Sequence, residues 1–253
     1  METNVNEYGQ MDFNLPHDVV NLPTKGIFYK PKKESLKVGY LTATDENILM
    51  SPNSLKDGIV TSLLKNKVYE PGFDVNQLLE VDARVILIFL RNTSFGTEYN
   101  YELTDPLTNK RFEITITLEN ISYEEPKVKP NELGLFEFVL PKSNKKVLLK
   151  LLSLGDISDL DKIKDSYPNG MVAPTITKTL EKHIIEIDGN RDREYISSFI
   201  SRLPIADSKS IRKFIKDCEP SLDLKKTVIA PSGEKVTFEV AFGVEFFRPF
   251  FTV

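Results

Sequence analysis

The sequence predicts an α+β protein in which helices combine with three β-hairpins in two modules. Three observations predict it. Apolar residues recur at helical spacing in several segments and alternate singly in others. Each alternating pair is joined by a short run of Pro, Asp, Asn, Gly or Ser. The order of helices followed by a hairpin occurs twice, without enough sequence identity to be a duplication. The expected layout is an extended N-terminal arm at 1–28, a helical module with a central helix and hairpin at 29–121, a linker at 122–134, and a second α+β module at 135–253.

Residues 1–14 are rich in Asn and Glu and carry no periodicity, so they read as loosely tethered. Leu15-Pro16 and Leu22-Pro23, with Gly26, predict an extended arm, because the residue before a proline is driven out of the helical region. A short alternating strand is expected at 36–41. Thr44 is a candidate cap for a helix beginning at Asp45 and Glu46, acids that favour a helix N-terminus. Ser54 is a candidate cap for a second, with Leu55, Ile59, Leu63 and Leu64 at helical spacing. Pro71-Gly72 stops it, and Asp74 begins a short helical segment.

The centre of the first module is the run from Val85 to Leu90, flanked by Asp82 and Arg91. Six consecutive apolar residues cannot form one stripe, so the segment is expected to be buried on all sides, Leu87 and Phe89 included. It is too short for a membrane span, which needs roughly 20 apolar residues. A helix is expected from Ala83 to Thr93, closed by Gly96. A hairpin follows, from Tyr99 to Leu103 and back through Phe112, Ile114, Ile116 and Leu118, with turn residues from Asp105 to Asn109.

In the second module Phe136, Phe138 and Leu140 alternate, PKSNKK turns, and 147–152 returns. Helices are expected at 156–167, 175–186 and 193–203, the last with Ile196, Phe199 and Ile200 on one face. Asp207 or Ser208 is the expected cap of a fourth, stopped by Pro220. A third hairpin runs from 227–229 through Pro231-Ser232-Gly233 to 236–242.

Composition narrows the function. The chain has 253 residues, 40% hydrophobic and 28% charged, with a formal net charge of −4. A nucleic-acid binder normally shows a basic excess; KPKK at 30–33 and KSNKK at 142–146 read as solvated turn charge. One cysteine, Cys218, excludes an intrachain disulfide. With only His17 and His183 besides, no zinc constellation of the usual ligands can be assembled. The polar, acidic N-terminus does not read as a signal peptide, and the single thiol suits a reducing cytoplasm. No Gly-rich phosphate loop occurs. Structural roles are expected for Cys218 and His183, and for the acidic pairs Asp45-Glu46 and Glu124-Glu125. No cofactor, metal or catalytic residue is expected. The candidate site is a partner-binding surface: Phe28 and Tyr29 in the arm, and Phe246, Phe247, Phe250 and Phe251 in the aromatic tail. Four such rings either close a core or anchor an interface.

Several stretches in order carry a resemblance: LPTKGIFY (22–29), LTATDENILMSPNSLKDG (41–58), VDARVILIFLRNTSFGTEY (81–99), DPLTNKRFEITITL (105–118), LPIADSKSIRKFIKDCEPSLDL (203–224) and GVEFFRPF (243–250). Together they resemble the baseplate hub proteins of T4-like contractile-tailed bacteriophages, of the gene product twenty-six type. The resemblance implies a non-enzymatic virion or assembly protein that binds other phage tail baseplate and hub proteins, with copies meeting in a symmetric assembly. It implies the host cytoplasm during assembly and, if the protein is retained in the particle, the tail baseplate, with neither nucleic acid nor membrane as partner. Relatives look as if they carry cysteine pairs at the hairpin tips, giving a metal-stabilised knuckle. Here Asp105-Pro106 and Pro231-Ser232-Gly233 stand there, so the metal does not carry over. Rival classes are a tail-associated cell-wall hydrolase using paired carboxylates and a nucleic-acid-binding regulator.

Overall fold

The computed structural model describes residues 16–50, 59–168, 171–242 and 246–247. The extended arm becomes strand β1 (His17–Asn21), laid antiparallel along β2 (Ser35–Gly39) with His17 opposite Gly39. Helix α1 (Ala43–Met50) is capped by Thr42, not Thr44. The Thr42 hydroxyl and amide donate to the Asp45 carboxylate at 2.6 and 2.7 Å, and the Asp45 N–H returns to the hydroxyl at 3.4 Å. A capping box needs its acid three residues after the cap; Thr42 finds Asp45 there, whereas Thr44 would find Asn47. Helix α2 (Ile59–Lys67) buries Leu63 and Leu64; Ser54 and Leu55 lie outside the described residues. Asp74 caps the 3-10 turn Val75–Gln77 as expected, accepting the Asn76 N–H at 2.9 Å.

Helix α3 (Glu80–Phe95) ends at Gly96, whose φ of +82° suits a residue without a Cβ. It buries Ile86, Leu87, Ile88 and Leu90, but Val85 and Phe89 are only half-buried. Six successive residues point all round a helix, and two of these meet the surface, where Phe89 stacks on Tyr40. The hairpin β3 (Glu98–Thr104) and β4 (Arg111–Thr117) follows, with Tyr99 opposite Ile116 and Leu103 opposite Phe112.

After the short β5 (Tyr123–Glu124), strands β6 (Phe136–Val139) and β7 (Lys146–Leu149) form the second hairpin. Ser153 caps α4 (Leu154–Asp165) with a full capping box. The helix expected at 175–186 ends early. Helix α5 (Thr175–His183) gives way to β8 (Ile184–Ile187), which joins β7 to make a three-stranded sheet. Ile184 and Ile187 are fully buried there, so β-branched side chains facing Leu149 and Val147 outweigh continuation of the helix. Helices α6 (Arg193–Ser201) and α7 (Ile205–Cys218) precede β9 (Ser221–Leu222), which pairs with β5, and the last hairpin, β10 (Lys225–Ile229) with β11 (Lys235–Glu239). Asp207 does not cap α7. It sits in the first turn, fully buried, because its carboxylate is drawn to the β6–β7 turn.

The buried apolar residues form one cluster running through both halves. The chain crosses between them repeatedly. The Leu154 N–H donates to the Leu78 carbonyl at 2.8 Å, and Phe28 of the arm stacks on Phe136 of β6. The last hairpin returns to the first, with Phe238 stacked on Tyr101 at 4.7 Å.

Candidate functional site

Both charges flanking the apolar run of α3 are buried, and each organises a piece of backbone. Asp82 accepts the Thr24 N–H at 3.2 Å, the Thr24 hydroxyl at 2.5 Å, and the Tyr29 hydroxyl. The Tyr29 oxygen in turn accepts the Leu79 N–H at 3.1 Å, at the start of α3. Burial pushes the Asp82 carboxyl upward against the pull of these donors, and burial followed by the Asp82 charge pushes the Tyr29 phenol upward. The loop holding Thr24 and Tyr29 requires Gly26: its φ is +67°, and a Cβ would lie 2.1 Å from the Lys33 carbonyl oxygen.

Arg91, at the other end of the run, donates to the carbonyls of Gly96 and Glu98, each at 2.6 Å. Its guanidinium lies 4.7 Å from the Tyr99 ring centroid and 5.7 Å from that of Phe246. It thereby closes the C-terminal end of α3, where a cation meets the helix dipole favourably, and fastens the aromatic tail to β3.

The hairpin turns share a second device. A carboxylate collects N–H groups that follow each turn proline. Asp105 takes the amides of Leu107 and Thr108 in its own turn, and also the Ser232 N–H at 3.0 Å and hydroxyl at 2.7 Å from the last hairpin. Asp207 takes the Lys142 and Ser143 amides at 2.8 and 2.9 Å. Burial pushes the Asp105 carboxyl up, but these donors outweigh it and hold it at about 2. Prolines at 106, 141 and 231 were legible as turn residues; that each leaves amides needing an acceptor was the missed signal.

A cleft of about 1010 Å³ opens between the halves, with Leu79, Val81, Leu151 and Leu222 on its walls and Glu80, Glu124, Glu219 and Arg84 among its polar groups. Desolvation, then the neighbouring Glu80 charge, pushes the Glu219 carboxyl up, but Glu219 keeps solvent access and Glu80 is ion-paired with Arg84 at 2.6 Å. That screening keeps the two acids from forming a desolvated acid–base couple.

The candidate partner residues divide. Tyr29, Phe246 and Phe247 are buried in this chain, at 4%, 1% and 1% exposure. Phe246 packs on Tyr99, Phe242 and Phe247. Phe28 is half-buried against Phe136, and Phe250 and Phe251 lie outside the described residues. His183 is buried with Nδ1 2.9 Å from the Lys150 carbonyl oxygen. Cys218 is buried, its thiol pushed up to about 12 by burial and then by Asp217 and Glu219. Asp45 is ion-paired with buried Lys67, and Glu124 accepts the Ser221 hydroxyl at 3.0 Å. Among the described residues, no group of three or more His, Cys, Asp or Glu could hold a metal ion, and no helix is long and apolar enough to cross a membrane.

An α+β body whose buried charges are committed to locking its own loops, helix ends and hairpin tips is built as a structural component. The family model described as T4 bacteriophage base plate protein matches residues 22–248, and the chain belongs to that family. It is a structural protein of the bacteriophage tail baseplate. No curated protein and no solved structure matches the chain.

Proposed function

We propose that the chain is a structural or assembly protein of the baseplate hub, of the gene product twenty-six type, acting by binding other baseplate and hub proteins. The observation that carries this is the reach of the family match, from the arm through the last hairpin, over a body in which the arm is tied to α3 and the last hairpin to the first. It assembles in the host cytoplasm and is carried into the tail, in copies that meet in a symmetric assembly, without nucleic acid, membrane or cofactor. Phe28, Phe250 and Phe251 are the partner-binding residues of this reading, while Tyr29, Phe246 and Phe247 are buried within the chain.

Affinity purification of the tagged chain from infected cells tests this. Recovery of baseplate and hub proteins is expected, and their absence sinks the hub assignment. The hydrolase alternative draws on Glu80 and Glu219 facing one cleft. Release of peptidoglycan fragments by the purified chain, lost in Glu219→Gln, would overturn the structural assignment.

A further inference from the structure

The last hairpin is held unequally at its two ends. At its base both strands are pinned, since Leu224 and Val240 are buried and the Val240 N–H donates to the Leu224 carbonyl at 3.1 Å. Beyond that base, among the described residues, β10 and β11 pair only with each other, and a lone two-stranded ribbon is marginal in water. Among the described residues no backbone-to-backbone hydrogen bond joins it to the β3–β4 hairpin beneath. Its inward side chains Val228, Val236 and Phe238 are half-buried, unlike the sealed residues of α3, while Ala230 at the start of its turn is buried. The Arg84–Glu239 contact at its side is 3.8 Å long, with Glu239 exposed and Arg84 half-buried, so it contributes little. The free end is fastened by Ser232 to Asp105, and the middle by the Phe238–Tyr101 stack. Few buried contacts on a ribbon with a firm base are the conditions for opening as a unit below the global unfolding limit.

We propose that the β10–β11 hairpin is a flap that swings open on its pinned base, and that the face it leaves, centred on Tyr101 and Asp105, accepts a β-ribbon of a neighbouring baseplate protein in its place. The partner's chemistry is defined by what fits there already. It is an alternating strand that presents an aromatic ring to Tyr101 and ends in a turn offering an N–H and a hydroxyl to the Asp105 carboxylate. Asp105 holds the Leu107 and Thr108 amides of its own turn independently of the flap, so the acceptor stays formed when the flap leaves. That the ribbon comes from a baseplate protein rests on the function proposed above; the competition between flap and ribbon does not.

The test uses the full chain and a fluorescent, covalently cyclised peptide of residues 225–239 as the probe. The wild type should bind it weakly, because its own flap competes. Ser232→Ala in the protein removes one hydrogen bond to a charged acceptor from that competitor, and should tighten peptide binding about tenfold. Ser232→Thr, which keeps the hydroxyl and the amide, should behave as wild type. By hydrogen exchange, the amides of β10 and β11 should exchange faster in Ser232→Ala by a similar factor, while those of α3 do not change. Equal peptide affinity for wild type and Ser232→Ala, no binding to either, or flap amides as protected as those of α3 would overturn the proposal. Failure to recover hub proteins from infected cells would sink the hub assignment and leave this competition standing.

Discussion

Tyr29→Phe isolates one oxygen atom with two duties. In the wild type that oxygen donates to the buried Asp82 carboxylate and accepts the Leu79 N–H at 3.1 Å. Losing a hydrogen bond to a charged group costs about 1.5–3 kcal/mol, and a buried amide left without an acceptor costs about 1–3 kcal/mol. The two losses share one site and do not add fully, so about 2–4 kcal/mol is expected for the substitution. The ring remains, and its edge contact with Phe73 is untouched, so no cavity contributes. In urea the midpoint should fall by about 1 M at unchanged slope. Hydrogen exchange should show the Leu79 amide losing protection more than the amides in the middle of α3. A midpoint shift below about 0.2 M, with Leu79 as protected as before, would refute the claim that this hydroxyl ties the arm to the core helix.

Leu87→Ala, in the sealed face of α3, should cost about 2–5 kcal/mol by chemical denaturation through lost transfer energy and a cavity. Phe247→Ala should lower stability by about 3–5 kcal/mol as a core ring; an unchanged melting temperature with weakened binding to tail proteins would make it an interface ring instead. The Asp105 clasp should loosen in acid. Its folded carboxyl sits at about 2, below the 3.8 of an unperturbed aspartate, so the folded form binds its proton less readily than the unfolded form. The stability it contributes is therefore fully present above about pH 4 and lost as pH falls toward 2. Flap amides of Ser232→Ala should depend on pH less than those of the wild type over that window.

Where local pattern and final contact agreed, the sequence was readable. Gly96, Asp74 and the alternation of Phe136, Phe138 and Leu140 each act within a few residues, and each fell where expected. The misses have a common cause. Nothing near Asp82 in the chain marks it for burial, because Thr24 and Tyr29, whose hydroxyls make that burial tolerable, lie 58 and 53 residues away; Arg91 has its carbonyl partners close by, at Gly96 and Glu98, and meets Phe246 only through the fold. Asp207 has the position of a helix cap, but the Lys142 and Ser143 amides claim its carboxylate from 65 and 64 residues away. Strand β8 continues helix α5 without a breaker, and only pairing with β7 separates them. In the tail, composition left the aromatic rings divided between core and interface, and Arg91 and Tyr99 draw Phe246 inward.

The 127-residue reach from Asp105 to Ser232 has a consequence in time. A ribosome delivers Tyr101 and the rest of the first hairpin long before the ribbon that covers them exists. During that interval the nascent chain displays an uncovered ring, and a carboxylate bound only by the amides of its own turn, on a ribbon of two strands. Contacts so distant in sequence close late and slowly, and open strand edges are where half-made chains aggregate. Chains terminated after the first module should therefore be the ones that chaperones retain.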